Sequence, residues 1–434
     1  MPDPHTEIPD AIAAGAAPIE TARPRFLTIF TGHTLYTFLH SLIFANVVWL
    51  MPLLVRLRFG SRDPNWKDWQ TLAVTLAIPA MFLTSVFWSE LLRRCSVRTY
   101  LIIFWLAATF PLGCLAFVQN YWQFLICHVI SCAGYASWSP VHGQLLKHFY
   151  ADSSRGRIFG VLNVMNYLSS IVAIYFVGRW MEAHPDGFRV FLPGVALLHF
   201  ASVLLLTRLA LRSGAEAEMA PEPARSWRAV FEPVLKLRAV LLQDPVFLRY
   251  ELAFMTYGAA YMCCEALMPV LGTDRLGMRY EDYAHSTQMA AKIAMLVTTM
   301  LMGWLLDRIG PIRTSAVSFG ILIFYPLLLI LARGPLSLGA ANLVYGVGLS
   351  GVVLTWMLGP VTLAGSPQLV PQYVAIHATL VGVRGILFQG LGMTLYKSTG
   401  NFLWPLLLAT IAFLWAGAQM LLLQWRMERE RPAI

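Results

Sequence analysis

The sequence predicts an all-α polytopic membrane protein with twelve transmembrane helices in two six-helix bundles. Three observations support this prediction. The 434 residues are 57% hydrophobic and only 13% charged, with a mean hydropathy of +0.61, whereas soluble domains are about 25% charged. Apolar windows long enough to cross a bilayer recur twelve times along the chain. One long polar linker divides these windows into two groups of six.

Each predicted span contains roughly the 20 apolar residues that a membrane-crossing helix needs. The predicted spans cover residues 26–55, 69–91, 98–118, 121–146, 157–181, 188–210, 247–270, 285–306, 313–333, 337–363, 372–396 and 401–425. The domain organisation follows from them: a disordered tail over 1–25, an N-terminal bundle over 26–211, a linker over 212–246, a C-terminal bundle over 247–426 and a tail over 427–434.

The second part of the linker has the pattern of a basic amphipathic helix. Its apolar residues recur at helical spacing with basic residues between them, and they are Trp227, Val230, Phe231, Val234 and Leu235. A helix of this kind lies on the lipid headgroups. An ordinary solvated linker helix is an equally good interpretation of the same pattern.

The basic residues predict the orientation of the chain. With a cytoplasmic N-terminus, the inner connectors and tails hold twenty Lys and Arg residues and the outer ones hold ten. The positive-inside rule therefore predicts that both termini are cytoplasmic, in the bacterial cytoplasmic (inner) membrane. The net charge of +9 is scattered over short connectors, so we expect contacts with the lipid bilayer and none with nucleic acid. Residues 1–22 contain no Lys or Arg, which is atypical of a signal peptide.

Motifs of soluble enzymes and ATP-driven pumps are absent from the sequence. There is no nucleophile elbow, no GxxxxGK[ST] loop and no GxGxxG after a strand. The six cysteines form no disulfide framework, and no His, Cys or Asp cluster has metal-ligand spacing. We therefore expect no catalytic activity, no cofactor and no metal.

Seven ionisable residues fall deep inside the predicted spans, where a charge is costly and by default faces the bundle interior. They are His33, His40, His128, Glu265, Lys292, His377 and Arg384. Arg384 cannot lose its proton and has no acid nearby in its own helix, so its guanidinium suits a carboxylate or phosphate. The alternative is a structural arginine bonded to backbone carbonyls at a helix break.

Glu265 and Lys292 are predicted at similar depth in adjacent spans, and Glu265 is taken as the one deeply placed acid. A structural ion pair is the favoured interpretation, and the alternative is that Glu265 titrates as a coupling carboxylate. His33 and His40 are seven residues apart and share one helix face with Tyr36. Histidine titrates near neutral pH, although a hydrogen-bonded packing role is the commoner one for a histidine in a span.

The segment over 303–313 resembles the loop 8–9 signature of the major facilitator superfamily, which reads Gly, three residues, Asp-Arg, one residue, Gly and then basic residues. Gly303, Asp307, Arg308, Gly310 and Arg313 occupy these positions between predicted spans eight and nine. With the two groups of six spans, the resemblance covers nearly the whole chain. It implies that these five residues serve in gating, with Gly310 permitting the tight turn.

Two segments depart from the pattern of this family. Between spans two and three, residues 89–98 keep only basic character, and Arg93 stands where the family has an acid. Span five lacks the Gly-Pro-rich motif of drug antiporters and offers Asn163 and Asn166 instead. The first departure argues against a gating role for an acid in that loop and keeps the non-transporting alternative open. The second weighs against a drug and proton antiporter.

The resemblance implies a secondary transporter that moves a small organic solute, with an anion expected first, by alternating access between two six-helix halves. Arg384 would be the main anion contact and Lys292 the second. The other expected solute contacts are His377, His40, Tyr36, Asn163 and Asn166. Proton coupling would use Glu265, His128 or His33. The alternatives are efflux of lipophilic compounds and a non-transporting sensor or assembly protein of the same fold, and a monomer is expected.

Overall fold

The computed structural model describes residues 19–215, 226, 231, 235–365 and 369–430, and nearly all of these residues are helical. The helices of the first half are Ile19–Phe44, Val47–Leu54, Pro64–Ala80, Ser85–Arg94, Val97–Ala108, Phe110–Cys114, Tyr121–Tyr135, Trp138–Phe149, Asp152–Ala183 and Phe188–Ser213. Those after the linker are Leu237–Gln243, Pro245–Val270, Tyr280–Ala284, Ala290–Leu322, Phe324–Leu331, Pro335–Leu363, Val370–Thr399 and Leu403–Glu430.

These helices make twelve crossings, as the sequence predicts. Ten helical stretches are long and apolar enough to span a bilayer. The second span is a bent pair of helices, broken by 49° just after residue 84, and it adds an eleventh crossing. The stretch Tyr280–Leu331 has 52 residues, which is about 78 Å of helix against roughly 30 Å of hydrocarbon. It therefore contains two spans, and the twelve-span fold is confirmed.

Gly310 separates spans eight and nine. Its φ of 76° and ψ of 172° lie in a region open only to glycine. Met302 and Ser318, at equal separations in sequence on either side of it, both approach Gly351 of span ten. The chain therefore folds back at Gly310 into two antiparallel helices.

Span seven begins at a well-capped N-terminus. The Asp244 carboxylate accepts hydrogen bonds from the backbone N–H groups of Val246 and Phe247 at 3.0 and 2.9 Å, and Pro245 fills the first helical position. The other oxygen of Asp244 accepts from the Tyr373 hydroxyl at 2.8 Å. This cap fixes the start of span seven against span eleven.

Large apolar side chains cover the outside of the bundle. Leu336, Met300 and Phe117 are 92%, 80% and 79% exposed. Lipid solvates such side chains, whereas water does not. The surface is therefore that of an integral membrane protein.

The two halves approach closely where span two faces span eleven. A Cβ added at Gly382 would lie 2.8 Å from the Leu83 side chain, and one at Gly385 would collide with Pro79. Small residues allow helices to pack at this distance in a membrane. The middle of the interface is therefore tightly packed on this side.

The predicted tail over 1–25 and the amphipathic helix of the linker lie mostly outside the described residues. Within the described residues, the first helix begins at Ile19 and the last ends at Glu430. The described part of the linker contains the short helix Leu237–Gln243.

Candidate solute site

Twelve crossings place both ends of the chain on the same side of the bundle. We call the side of Ile19 and Glu430 the termini face and the opposite side the far face. A solute site between the halves must be reached from one of these faces.

A buried charge cluster joins the halves at the far face. Asp68 of the first half accepts hydrogen bonds from Arg56 of the same half at 2.5 Å and from Lys397 of the second half at 2.7 Å. Arg56 also pairs with Asp274 of the second half. Arg56 and Asp68 are only 5% and 3% exposed, so these charges depend on one another for solvation.

A second group of ion pairs crosses the far face near the first. Arg179 binds Glu281 at 2.9 Å, and Arg279 lies 3.3 Å from Glu182. Glu182 also accepts a hydrogen bond from the backbone N–H of Tyr280 at 3.0 Å. Spans five and eight are therefore tied together at their far-face ends, and the structure is closed on this side.

A central cavity of about 210 Å³ lies between the halves and is lined by both of them. Its polar lining residues are His40, Ser41, Ser131, Cys132, Tyr135, Asn166, Ser170, Gln288 and Lys292. Among these described residues Lys292 is the only lysine or arginine, and none is an acid. The cavity therefore presents a cation and several hydrogen-bonding groups.

Two further cavities adjoin the central one. A pocket of about 10 Å³ shares Val48 and Gln288 with it and is lined by Glu265. A mostly apolar cavity of about 430 Å³ is lined by Asn163 and Tyr167. The Lys292 ammonium lies 5.3 Å from the centre of the Tyr167 ring, so Tyr167 stands between the larger cavity and the central one.

The expected ion pair between Glu265 and Lys292 is wrong. None of the ion pairs between described residues joins them, although they lie in adjacent spans. Glu265 lines a small pocket together with Tyr283 and Tyr345, whereas Lys292 faces Tyr167 and the central cavity. The two side chains line different cavities.

Arg384 is buried between spans seven and eleven. Its Nη1 donates to the Phe254 carbonyl at 2.5 Å, and its guanidinium lies 5.5 Å from the Tyr257 ring. The side chain lies flat against Gly258, where a Cβ would collide with it. Arg384 lines neither the central cavity nor the two cavities described with it. Its role as an anion contact stays a prediction.

Glu251 is a second deep acid that the sequence reasoning missed. It lies in span seven, 2% exposed, with its carboxylate oxygens 2.8 and 2.9 Å from Nδ1 of His377. It is also close enough to Arg384 for an electrostatic interaction. The expectation that Glu265 is the one deep acid is therefore wrong, and the position of Glu251 inside predicted span seven could have revealed it.

The predicted histidines of the first half are buried and have protein partners. His33 Nδ1 lies 3.1 Å from the Tyr150 hydroxyl, and His128 Nε2 lies 3.0 Å from the Val74 carbonyl oxygen. These contacts fit the packing interpretation. His40 differs, because it also lines the central cavity.

Two further buried histidines of the first half were missed. His199 of span six hydrogen-bonds His40, and His142 of span four lies beside His33 with ring centroids 5.6 Å apart. Both fall inside predicted spans, so the criterion that selected the other histidines would also have found them. Together they make the interior of the first half rich in imidazoles.

The loop 8–9 residues lie at the termini face. Gly303 is inside the helix of span eight, and Asp307 and Arg308 are exposed near its end. Arg313 pairs with Glu428 of span twelve. This pair stays within one half, unlike the pairs of the far face.

Comparison with known proteins agrees with this architecture. The family model of the Major Facilitator Superfamily matches residues 34–395. The chain therefore belongs to the major facilitator superfamily. Membership of this family points to a transporter rather than an enzyme. A search of curated proteins finds no match.

Two solved structures share the fold. One is a POT family transporter in complex with 5-aminolevulinic acid, with a TM-score of 0.67 and 10% identity over 94% of this chain and 96% of that chain. The other is a POT family transporter in complex with a thioalcohol conjugated peptide, with a TM-score of 0.68 and 10% identity over 92% and 96%. At this identity the likeness concerns the fold alone.

Proposed function

We propose that the protein transports a small organic solute bearing a carboxylate, and that the solute binds in the central cavity with Lys292 as its counter-charge. The observation that carries the proposal is the environment of Lys292. It lies in a cavity lined by both halves, and the ion pairs among described residues leave it without an acidic partner. A cation held inside a membrane needs a compensating group, and an exchangeable carboxylate supplies one.

This proposal puts Lys292 before Arg384. The Arg384 guanidinium donates to the Phe254 carbonyl oxygen and lies near the Tyr257 ring, so it already has protein contacts and does not line the central cavity. Lys292 borders a cavity large enough for a small solute. Both residues are cationic, but of the two only Lys292 lines the central cavity, so we propose Lys292 as the solute contact.

Glu265 provides a carboxylate next to the proposed solute site. It lines the small pocket that shares Gln288 with the central cavity. A solute with an amine as well as a carboxylate would use both Lys292 and Glu265. One POT family transporter of the same fold is in complex with 5-aminolevulinic acid, a compound that carries both groups, and we therefore choose this compound to test the proposed chemistry.

Alternating access follows from the closed far face. Breaking the pairs around Asp68 and Glu182 would open the site to that side, and closure of the termini face would complete the cycle. We place the termini in the cytoplasm, because the basic residues favour that side. Reporter fusions after Asp68 and after Glu281 should then report the outer side, and an inner signal from either would contradict this orientation.

Proton coupling is part of the proposal. The sequence predicts Glu265, His128 or His33 as the proton carrier, and all three are buried or partly buried ionisable groups. Uptake should therefore respond to a pH gradient and to an uncoupler. If the uptake rate is unchanged by a pH gradient and by an uncoupler, uniport or sodium coupling would be favoured instead.

A second candidate function is transport of lipophilic compounds. The observation that favours it is the 430 Å³ cavity, whose apolar lining residues come from spans four, five and ten. Such compounds would bind without Lys292, because their affinity would come from apolar burial.

The decisive comparison uses two matched solutes, levulinate and 5-aminolevulinate, which differ only by an amine. Binding to the purified protein is measured by calorimetry. Lys292→Gln should weaken binding of both solutes by about ten- to a hundredfold, the usual value of a charged hydrogen bond. Glu265→Gln should weaken only the aminated one. Lys147→Gln, at an exposed lysine, is the matched control.

Unchanged affinity for both solutes in Lys292→Gln would contradict the proposed site. Binding of apolar compounds alone, by the wild type and the variant equally, would favour the lipophilic alternative.

A further inference from the structure

His40 sits at the boundary between the central cavity and an aromatic cluster in the first half. Its ring forms part of the cavity wall. The ring centroids of Trp138 and Phe44 lie 4.5 and 4.8 Å away, and that of Tyr36 lies 5.5 Å away. The faces of such rings attract a cation, so this surrounding suits an imidazolium.

A hydrogen-bonded chain leads from His40 away from the cavity. His40 Nδ1 lies 3.1 Å from Nε2 of His199, and His199 Nδ1 lies 2.6 Å from Oγ1 of Thr109. We assign the tautomers in which His40 Nδ1–H donates to His199, and His199 Nδ1–H donates to Thr109. This leaves His40 Nε2 with a lone pair, and it has no partner among the described residues.

The charged and titratable groups around this pair are few. Tyr36 lies on the same helix, Tyr135 and His142 face the pair from span four, and Lys292 borders the same cavity from span eight. The ion pairs among the described residues leave both His40 and His199 without a carboxylate. A proton bound to this pair therefore needs a negative charge from elsewhere.

We propose that His40 and His199 together bind the coupling proton, and that the carboxylate of the solute in the central cavity is the counter-charge. This inference rests on the proposed function. In the empty cavity an imidazolium at His40 would share the cavity wall with the Lys292 ammonium, and the two positive charges would repel each other. When a carboxylate binds, both cations gain a partner.

The proton step is a simple transfer. A proton from water adds to the lone pair of His40 Nε2, while His40 Nδ1–H keeps its bond to His199 and shares the charge with it. Release returns this proton to water after the carboxylate leaves. Linkage requires that the proton and the carboxylate raise each other's affinity by the same factor. The protein would therefore carry the proton and the solute across the membrane in the same direction, as a symporter.

His33 and His128 are poorer candidates for this role. Their rings bond to the Tyr150 hydroxyl and the Val74 carbonyl oxygen, and neither residue lines the central cavity. A solute charge in the cavity would therefore act on them more weakly than on His40.

The test measures proton uptake by the purified full-length protein when 5-aminolevulinate is added as the probe, with a pH dye in weak buffer. The wild type should take up about one proton per bound probe, and its apparent Kd should fall about tenfold for each pH unit of acidification over the range of uptake. In His40→Gln the uptake should disappear and the Kd should become independent of pH. His184→Gln, at an exposed histidine, should behave like the wild type.

A second measurement uses only the wild-type protein, so its result does not depend on whether a variant folds correctly. Nitrogen NMR of the ¹⁵N-histidine-labelled wild type at constant pH should show an imidazole gaining a proton when the probe is added. Binding of the probe without proton uptake, or with the same uptake in His40→Gln, would overturn the inference and leave the proposed function standing. No binding of the probe or of levulinate by the wild type would overturn both.

Discussion

The far-face cluster around Asp68 gives the most specific prediction about alternating access. The substitution Asp68→Asn removes the acid that holds Lys397 of the second half at 2.7 Å and Arg56 of the first half at 2.5 Å. In the closed state Arg56 keeps Asp274 as a partner, but Lys397 is left beside Arg56 without an acid, in a site where Asp68 is only 3% exposed. In the open state the cations separate and are solvated, so the cost falls on the closed state.

The size of the effect follows from burial. Removing one partner of a buried ion pair costs about 3–5 kcal/mol. The side chain of Lys397 is 21% exposed, so we use the lower end, about 3 kcal/mol. Since about 1.4 kcal/mol changes an equilibrium constant tenfold, Asp68→Asn should shift the equilibrium roughly a hundredfold toward the far-face-open state.

Electron spin-label distances can measure this shift. Labels at the exposed positions Gln119 and Leu336, one on each half, should show mainly one short distance in the wild type and a large longer-distance population in Asp68→Asn. Adding Lys397→Met should restore much of the short distance, because it removes the unpaired cation.

The matched control is Asp186→Asn. Asp186 binds Arg58 at 2.7 Å on the same face, but this pair is half exposed and stays within the first half, so the distances should not change. A distance distribution in Asp68→Asn identical to that of the wild type would refute the account of far-face closure.

Three further substitutions test other parts of the structure. Arg384→Gln should lower thermal stability, by about 1–3 kcal/mol of unfolding free energy, because it leaves the buried Phe254 carbonyl without its donor. Full stability with lost solute binding would instead support Arg384 as the anion contact. Asp307→Asn should slow transport while the equilibrium affinity for the solute stays unchanged, because Asp307 is exposed at the termini face away from the cavities. Lost solute affinity in a folded variant would contradict its gating role. Gly310→Ala should destabilise the protein by about 1–3 kcal/mol, because alanine cannot adopt the backbone angles of Gly310 without strain. An unchanged melting temperature would contradict the fold-back of spans eight and nine at this residue.

The crossings were predictable because each is a local property of the sequence. Apolar windows of bilayer length mark the spans, and the need for a tight turn in a short connector indicated Gly310. The structure confirms that glycine as the point where spans eight and nine separate.

The partners of the ionisable side chains were less predictable. Depth along a span can be read from sequence, but the direction in which a side chain points depends on how each helix is rotated against its neighbours. Glu265 and Lys292 agree in depth and still diverge, whereas Glu251 meets His377 across 126 positions of sequence. Inspecting every acid in the predicted spans would have found Glu251, but only the packed bundle shows which cation it faces.

Solute exchange in proteoliposomes tests the central claim most directly. Vesicles containing the purified protein are loaded with unlabelled 5-aminolevulinate, and entry of the labelled compound is followed. Our account predicts exchange in the wild type and in Lys147→Gln, and little exchange in Lys292→Gln at the same external concentration. Equal exchange in Lys292→Gln and the wild type would contradict a solute site built around Lys292 in the central cavity.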